Sequence, residues 1–297
     1  MGITGGDRIV GDIPADNAPV LSAANNAQFH QDIEVNFTLS GATDNGLTFG
    51  ASIQLDEAGW SDSTDDGSTS VFISGNFGTL TMGDTDGGFD WGMGEVPTGS
   101  GSIADNETGH AGFNGNSGLD GTYDGQVLRY DHSVGGLGFA VSIEIDDDDG
   151  ANNDPVIGLG LRYSVANINL GLGYQSTTVG GFDREVVGIS AGTTVGGIAL
   201  GLNYSSQSRD NWTFDQDHVG IGASYSMDAI TIGVNYGQYD NFGGDAVAER
   251  SGFGLSAGYD LGGGASILLG YGSSEYVSTG GATTDVDNWS LGLSMSF

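Results

Sequence analysis

Apolar and small polar residues alternate one by one through most of this chain. In the last ten residues, NWSLGLSMSF, every second residue from Trp289 to Phe297 is apolar. A period of two places successive side chains on opposite faces of a β-strand. The pattern predicts an all-β protein whose strands each carry one apolar face. The same alternation occurs in 32–40, 47–55, 138–145, 156–165, 168–175, 198–205, 219–227, 230–237 and 253–261.

The opposite face of these strands is made of Gly, Ser, Thr, Asn and a few charged residues. The chain contains 56 Gly, and 37% of its residues are hydrophobic. The outer face of a soluble sandwich usually carries more Lys, Arg and Glu. Small polar residues suit a surface that lines space. An apolar face exposed to water would aggregate, whereas facing lipid it is stable if the sheet closes into a barrel without free edges.

Short and long connections follow one another in turn, a rhythm typical of bacterial outer-membrane barrels. Seven short turns and eight long loops predict sixteen antiparallel strands, and a barrel of that size encloses water. We therefore expect residues 1–297 to form one transmembrane β-barrel domain. The short turns are 42–46, 75–78, 134–138, 165–169, 195–199, 226–230 and 261–265, and the long loops are 5–30, 56–68, 84–124, 146–155, 176–184, 206–216, 239–249 and 275–286.

The charge balance excludes some classes of function. The formal net charge is −33, with 39 Asp and Glu, six Arg and no Lys. Such a chain repels nucleic acid and attracts cations, although acidity also serves solubility alone. Cys is absent, which excludes disulfides, thiolate zinc sites and a Cys nucleophile. No stretch reaches the roughly 20 apolar residues of a membrane helix. No signal peptide precedes Met1, so we expect either a cytosolic chain or one whose leader is removed.

Two other classes are weighed against a channel. A barrel lipase needs Ser and His in a relay. Asp131 and Ser133 flank His132, but neighbours along a strand point to opposite faces, so we predict no enzyme activity. A secreted calcium β-roll needs tandem copies of a glycine- and aspartate-rich nonapeptide, which this sequence lacks.

Four segments carry a family resemblance that covers nearly the whole chain. They are FGTLTMGDTDGGFDW (77–91), GNSGLDGTYDGQVLRYDHS (115–133), YDLGGGASILLGYG (259–272) and the terminal strand ending on Phe297. In this order they resemble the general diffusion porins of Gram-negative bacteria, of the alphaproteobacterial Rhodobacter type.

The resemblance implies a homotrimer of sixteen-stranded barrels in the outer membrane, with lipids around it. It implies passive diffusion of ions and small hydrophilic solutes, and a long third loop folded into the lumen. It also implies that Phe297 is the signal read by the barrel-insertion machinery. One departure from the family is the first strand, which we expect to be truncated, since only MGIT (1–4) precedes GGDR.

The longest connection, 84–124, is the predicted constriction loop, and it contains no Lys or Arg. Crowded carboxylates in a narrow passage favour cations and raise the pKa values of one another. The alternative is a solvated external loop. The predicted constriction residues are Asp84, Asp86, Asp90, Glu95, Asp105 and Glu107, together with Asp120 and Asp124.

By strand parity, four arginines fall on the polar side, in the lumen or at its rim: Arg129, Arg162, Arg184 and Arg250. Related porins place a basic wall opposite the acidic loop, whereas the second strand here offers Asp32 and Glu34. This indicates a cation-selective pore. The alternative is a substrate-specific outer-membrane channel, but the polar face lacks the aromatic tracks and basic clusters that such channels use.

An acidic cluster, DDDDGANND (146–154), is a candidate calcium site, because hard oxygen ligands suit Ca²⁺. Its spacing differs from a twelve-residue calcium loop, and a solvated hairpin tip is the alternative. No cofactor is required. The candidate ligands are Asp146, Asp147, Asp148, Asp149 and Asp154.

Overall fold

The computed structural model describes residues 1–9, 13–22, 27–58, 65–105, 107–123, 125–146 and 152–297. This part of the chain is almost entirely β-sheet, and none of its helices is long and apolar enough to cross a membrane. The strands are β1 Gly2–Gly6, β2 Gln28–His30, β3 Asp32–Ala42, β4 Thr48–Ala58, β5 Asp65–Gly75, β6 Gly78–Asp84, β7 Gln126–Val134, β8 Leu137–Glu144, β9 Val156–Val165, β10 Ile168–Val179, β11 Phe182–Val195, β12 Ile198–Arg209, β13 Gln216–Met227, β14 Ile230–Asp240, β15 Glu249–Gly262, β16 Ala265–Val277 and β17 Thr283–Met295. The helices are α1 Gly88–Gly92 and a 3-10 turn, Phe242–Gly244.

The sheet is antiparallel and nearly closed. From β3 to β17, each strand pairs with the next one along the chain. The short strand β1 then joins the two ends of the sheet, since it pairs with β17 on one edge and with β2 on the other. The predicted all-β antiparallel barrel is therefore confirmed.

The strand count differs from the predicted sixteen, because the structure has seventeen strands in its described residues. The predicted second strand, 32–40, is β3, and the extra strand is β2, which lies within the predicted long loop 5–30 and is separated from β3 by one residue, Gln31. Strand β1 has five residues, and its pairing to β2 covers Gly2–Thr4. Within the described residues, β3 (Asp32–Ala42) pairs with β4 along one edge, and no strand is in register with its other edge. We call this second edge the seam beside β3.

All seven predicted short connections are turns between antiparallel neighbours. At Gly196–Gly197 both residues have positive φ, 60° and 82°, the left-handed backbone that two-residue hairpin turns require. The predicted long loop 176–184 is wrong. There β10 and β11 continue until Val179 pairs with Phe182 across Gly180–Gly181, because Ser, Thr and charged residues extend strands above the apolar band.

The two faces of the sheet have opposite environments. Outward apolar side chains are half exposed, for example Leu202 at 49% and Ile221 at 58%. The neighbouring inward residue Asn203 is 1% exposed. The apolar residues therefore form an outer belt and do not meet in a dry centre between layers. One small apolar cluster lies inside the barrel, and it consists of Phe89, Met93, Leu119, Val156 and Val186.

Candidate pore and its internal loop

The connection from β6 to β7 runs along the inner wall of the barrel. Its outgoing leg is fixed by serines that project inward from the strands. The Ser142 hydroxyl of β8 accepts from the Gly88 amide at 2.7 Å, and the Ser190 hydroxyl of β11 accepts from the Gly94 amide at 2.8 Å. The Ser256 hydroxyl of β15 donates to the Thr98 carbonyl at 2.6 Å.

The returning leg follows the same wall back towards β8. The Asn235 amide of β14 donates to the Thr108 carbonyl at 2.8 Å. The His218 imidazole of β13 bonds to the Gly112 carbonyl through Nε2 at 2.9 Å, so this nitrogen carries the proton. These contacts show that the loop folds inward, as predicted, and lies against strands β8 to β16.

Two buried side chains hold the end of the loop. Glu144 is 1% exposed, and its carboxylate accepts from the amides of Gly121, Tyr123 and Gly125 at 3.1, 3.0 and 2.9 Å. Gln175 is 0% exposed; it accepts from the Leu119 amide at 2.7 Å and donates to Asp120 at 2.5 Å. Hydrogen bonds to a charged carboxylate are stronger than those between neutral groups, so Glu144 holds the loop more strongly than Gln175 or the serines do.

Glycines on the inner wall make room for the loop. A Cβ at Gly237 would lie 1.9 Å from the Gly112 carbonyl oxygen, and one at Gly160 would lie 2.0 Å from the Gly88 carbonyl oxygen. Real Cβ atoms essentially never approach backbone so closely. On these strands the small inner residues therefore accommodate the loop, which corrects the interpretation that they line open space.

The inner faces of β3 to β7 lie on the other side of the barrel. Register places Thr38, Ser52 and Ser70 side by side on β3, β4 and β5, on the face opposite exposed Phe37 and its register partner Ile53. Further along, Thr81 of β6 is paired with Arg129 of β7 on that same face. A water-filled passage therefore has a polar wall here and the loop as its other wall.

The predicted acidic residues separate into exposed and buried groups. Asp84, Asp86, Glu95 and Asp105 are exposed, and Asp90 is half-buried in α1. Glu107 is 1% exposed and lies against Gly270 of β16, so its carboxylate faces the wall and not the passage. Asp124 lies outside the described residues.

Burial is the main cause of the shifted pKa values in the loop. It raises the pKa of Asp90 to about 7, with smaller contributions from the charges of Asp86 and Asp120. It raises the pKa of Asp120 to about 6, although two hydrogen bonds to that carboxylate act in the opposite direction. The pKa values of Glu95 and Asp105 are raised for the same reason. Like-charge repulsion, the predicted cause, comes second.

Two of the predicted arginines stand beside the start of the loop. Arg129 Nε lies 3.1 Å from Asp131 Oδ1, and Arg129 Nη1 donates to the Asp86 carbonyl at 2.5 Å. The Arg162 guanidinium stacks 4.5 Å from the centre of the Trp91 ring. These cations therefore share one side of the passage with Asp86 and Asp90, and they do not form a separate wall facing the acidic loop.

The other two arginines lie elsewhere. Arg250 stacks on Phe242 at 3.6 Å and donates from Nε to Asn17 at 2.7 Å, which ties the first long loop to β15. Arg184 of β11 is the register partner of Arg209 of β12.

The remaining predicted residues are placed as follows. Asp32 and Glu34 are exposed on β3, and Asp32 is close enough to raise the pKa of Asp105. Phe297 follows β17 and is fully exposed. Asp146 accepts from Asn153 at 2.6 Å, the Asp154 carbonyl accepts from Thr177, and Asp147, Asp148 and Asp149 lie outside the described residues. No metal-binding group of three or more His, Asp or Glu occurs in the described part of the chain, and calcium binding stays a prediction.

The predicted site residues do not include the ones that anchor the loop. Glu144 and Gln175 are long polar side chains on inner faces that otherwise carry small residues: Gly, Ala and Ser on β8, and Gly, Asn and Thr on β10. A long polar side chain among small residues on a buried face indicates an anchor, because a buried carboxylate needs hydrogen-bond donors from another segment.

The raised pKa values predict that the ion selectivity of the channel changes in mild acid, because the loop loses negative charge. At pH 8 Asp90 and Asp120 are both ionised, whereas at pH 5 both are protonated and two negative charges are lost. Their contribution to the folding free energy has the opposite pH dependence: it is fully present below 3.8, the ordinary pKa of Asp, and is lost as pH rises through 6 to 7. The measurement is the reversal potential in a KCl gradient at each pH. With Asp90→Asn the pH dependence should shrink; an equal dependence in that variant would contradict the assignment.

Comparisons with known proteins agree with this architecture. The family model described as "Gram-negative porin" matches residues 15–279, which is more than half of the chain. A Rhodobacter capsulatus protein named "Porin" is 27% identical over 267 residues, covering 79% of this chain and 84% of that protein.

Solved structures share the fold. A porin structure refined at 1.8 Å matches with a TM-score of 0.69 and 21% identity, covering 99% of both chains. A mutant of the Rhodopseudomonas blastica porin matches with a TM-score of 0.65 and 18% identity, covering 100% of this chain and 98% of that one. The family consists of outer-membrane channels for passive diffusion and not of enzymes. With its antiparallel barrel, its internal loop and a family match over residues 15–279, this chain belongs to the Gram-negative porins.

Proposed function

We propose that this porin prefers cations over anions and does not select a particular solute. The observation that carries the proposal is the set of exposed carboxylates on the loop, Asp86, Glu95 and Asp105, across the passage from a wall with few cations. Asp84, also predicted, ends β6 with the outward parity of Leu80 and Met82 and is not part of this set. Rings of Asp or Glu favour cations, because a narrow passage screens charge less than bulk water does.

The two nearby arginines do not cancel this charge. Arg129 forms an ion pair with Asp131, and Arg162, which is stacked on Trp91, lies near three carboxylates, Asp86, Asp90 and Asp131, so acids outnumber arginines here. The second strand contributes Asp32 and Glu34, both exposed, so acid is present on two sides. The described inner residues of β3 to β5 include Thr38, Ser52 and Ser70, which offer no charge with which to bind one solute class tightly.

The proposal is tested by neutralising the loop. The variant Asp86→Asn, Glu95→Gln, Asp105→Asn should lose most of its preference for K⁺ over Cl⁻ in reversal-potential measurements across a planar bilayer. A matched control changes three acids that share the outward parity of their strands, Asp183, Glu185 and Asp217, which should alter selectivity little. Anion preference in the unmodified protein, or an unchanged reversal potential in the loop variant, would refute the proposal.

Several finer features are proposed from the family. The protein assembles as a trimer, Phe297 serves recognition by the insertion machinery, and a leader is removed before assembly. The barrel functions with sixteen strands, β2 and β3 acting as one, and β1 is a shortened first strand. The Phe297 ring is fully exposed, which supports the proposal that the insertion machinery recognises it.

A further inference from the structure

Two arginines stand side by side on the inner wall. Arg184 and Arg209 are direct register partners on β11 and β12. Their strand parity is that of Ser190 and Ser205, which contact the internal loop, so both side chains belong to the inner face. They lie at the end of the barrel that carries the Gly180–Gly181 turn, the 210–215 connection and the start of the internal loop. This arginine pair is therefore at the mouth of the barrel, separate from the acidic start of the loop.

No acid neutralises the arginine pair within the described residues. The ion pair found there is Arg129–Asp131, and the charged or titratable neighbours that act on Arg184 are Arg209 and the Tyr123 phenol. Nε of both Arg184 and Arg209 is buried and has no hydrogen-bond partner. In a chain with 39 acidic residues and six arginines, this juxtaposition of two cations is unexpected.

The two acids that flank Arg184, Asp183 and Glu185, point away from the pair, and Asp154 and Asp210 line the same cavity as Arg184 without an ion pair to it. Asp183 accepts from the Thr178 hydroxyl at 2.8 Å, and Glu185 accepts from the Tyr174 hydroxyl at 2.8 Å. Tyr174 and Thr178 share the outward parity of β10, so both carboxylates are held on the outer face. Local sequence therefore provides acids, but strand alternation directs them to the wrong side.

Like charges directly opposite each other on neighbouring strands destabilise a sheet. An unpaired, partly buried guanidinium also lacks compensation for its lost hydration. Guanidinium groups present planar forks of N–H donors that match oxyanions in bidentate fashion. The Arg209 guanidinium also lies 5.8 Å from the centre of the Phe182 ring, which limits its orientation.

We propose that Arg184 and Arg209 together bind a small oxyanion, a phosphate or carboxylate group, at the mouth of the barrel. The inner position favours a soluble anion over a lipid phosphate. The site does not depend on the cation preference proposed above, because it uses different residues on a different part of the wall.

The test measures binding of inorganic phosphate to the purified full-length protein in detergent by isothermal titration calorimetry. Arg184→Gln with Arg209→Gln should weaken binding by about tenfold or more, as expected for losing hydrogen bonds to a charged group. Arg184→Lys with Arg209→Lys keeps the charge but loses the forks, and should give an intermediate affinity. Equal affinity in the unmodified protein and the Gln variant would overturn the proposal.

A second readout separates a ligand site from a structural role. Without phosphate, the Gln variant should unfold at the same or a higher temperature than the unmodified protein, because it loses a repulsion. A clearly lower temperature would show that the chain itself supplies an anion, which overturns the proposal. Purified lipopolysaccharide in a parallel titration identifies the source: tighter binding of it than of inorganic phosphate, lost in the Gln variant, assigns the oxyanion to a lipid headgroup.

Discussion

Replacing both Glu144 and Gln175 with alanine should turn a steady channel current into a larger and noisier one. Gln175 bonds to the Leu119 amide and the Asp120 carboxylate, and Glu144 bonds to the amides of Gly121, Tyr123 and Gly125, all at the end of the loop. Each hydrogen bond to a charged group contributes about 1.5–3 kcal/mol, and a buried donor left without a partner costs about 1–3 kcal/mol. Without these bonds the end of the loop should detach from the wall and move into and out of the passage.

Single-channel recording in planar bilayers measures this effect directly. The matched control is Glu185→Ala, which removes a carboxylate from β11 whose bond to Tyr174 lies on the outer face. The control should keep the steady current of the unmodified protein. If the Glu144 and Gln175 variant also shows an unchanged, quiet current while folded, the loop is not held by these residues.

The seam beside β3 predicts that a strand added along it should raise the melting temperature. Along Asp32–Ala42 the described register pairs β3 with β4 on one edge, while β1 reaches only Gln28–His30 of β2. Unpaired backbone groups within a membrane are costly, and an open strand edge invites association. An engineered extension of about nine residues before Met1 should pair along this edge, if its apolar residues fall on the same side as Ile3 and Ile33.

The expected result is a melting temperature higher by roughly 10 °C, from several new hydrogen bonds of about 0.5–1.5 kcal/mol each. Far-UV circular dichroism in detergent during heating measures it. The control is an extension of equal length made of Gly, Ser and Asn without alternation, which should change the melting temperature little. An equal rise for both extensions would show that pairing along β3 is not the cause.

Much of the barrel could be predicted from sequence, because strands and tight turns are determined by residues that are close together in the chain. Alternation along a strand depends on the side-chain period alone, so the outward row containing Leu202 was predictable. Two-residue glycine turns such as Gly196–Gly197 are equally local. The turn at Gly180–Gly181 was missed, because the polar ends of β10 and β11 resemble loop in composition although their backbones stay paired.

The placement of the loop depends on contacts distant in sequence. Gly237 lies 125 positions after Gly112, and nothing near either residue indicates that their backbones touch. Glu107 was predicted to face the passage by its type, but its position in the loop turns it towards Gly270. Composition identifies an acidic loop, whereas three-dimensional packing decides which of its carboxylates meet water.

Substituted cysteines give the most direct test of which surface borders the water path. The chain has no native Cys, so each introduced thiol reports on its own position. A charged, water-soluble thiol reagent should reduce the current through Thr38→Cys and Ser52→Cys, whose side chains lie on the free inner wall, and leave Leu202→Cys unchanged. If the reagent reduced the current through Leu202→Cys and left the current through both inner variants unchanged, the account of an apolar exterior around a polar passage would be contradicted.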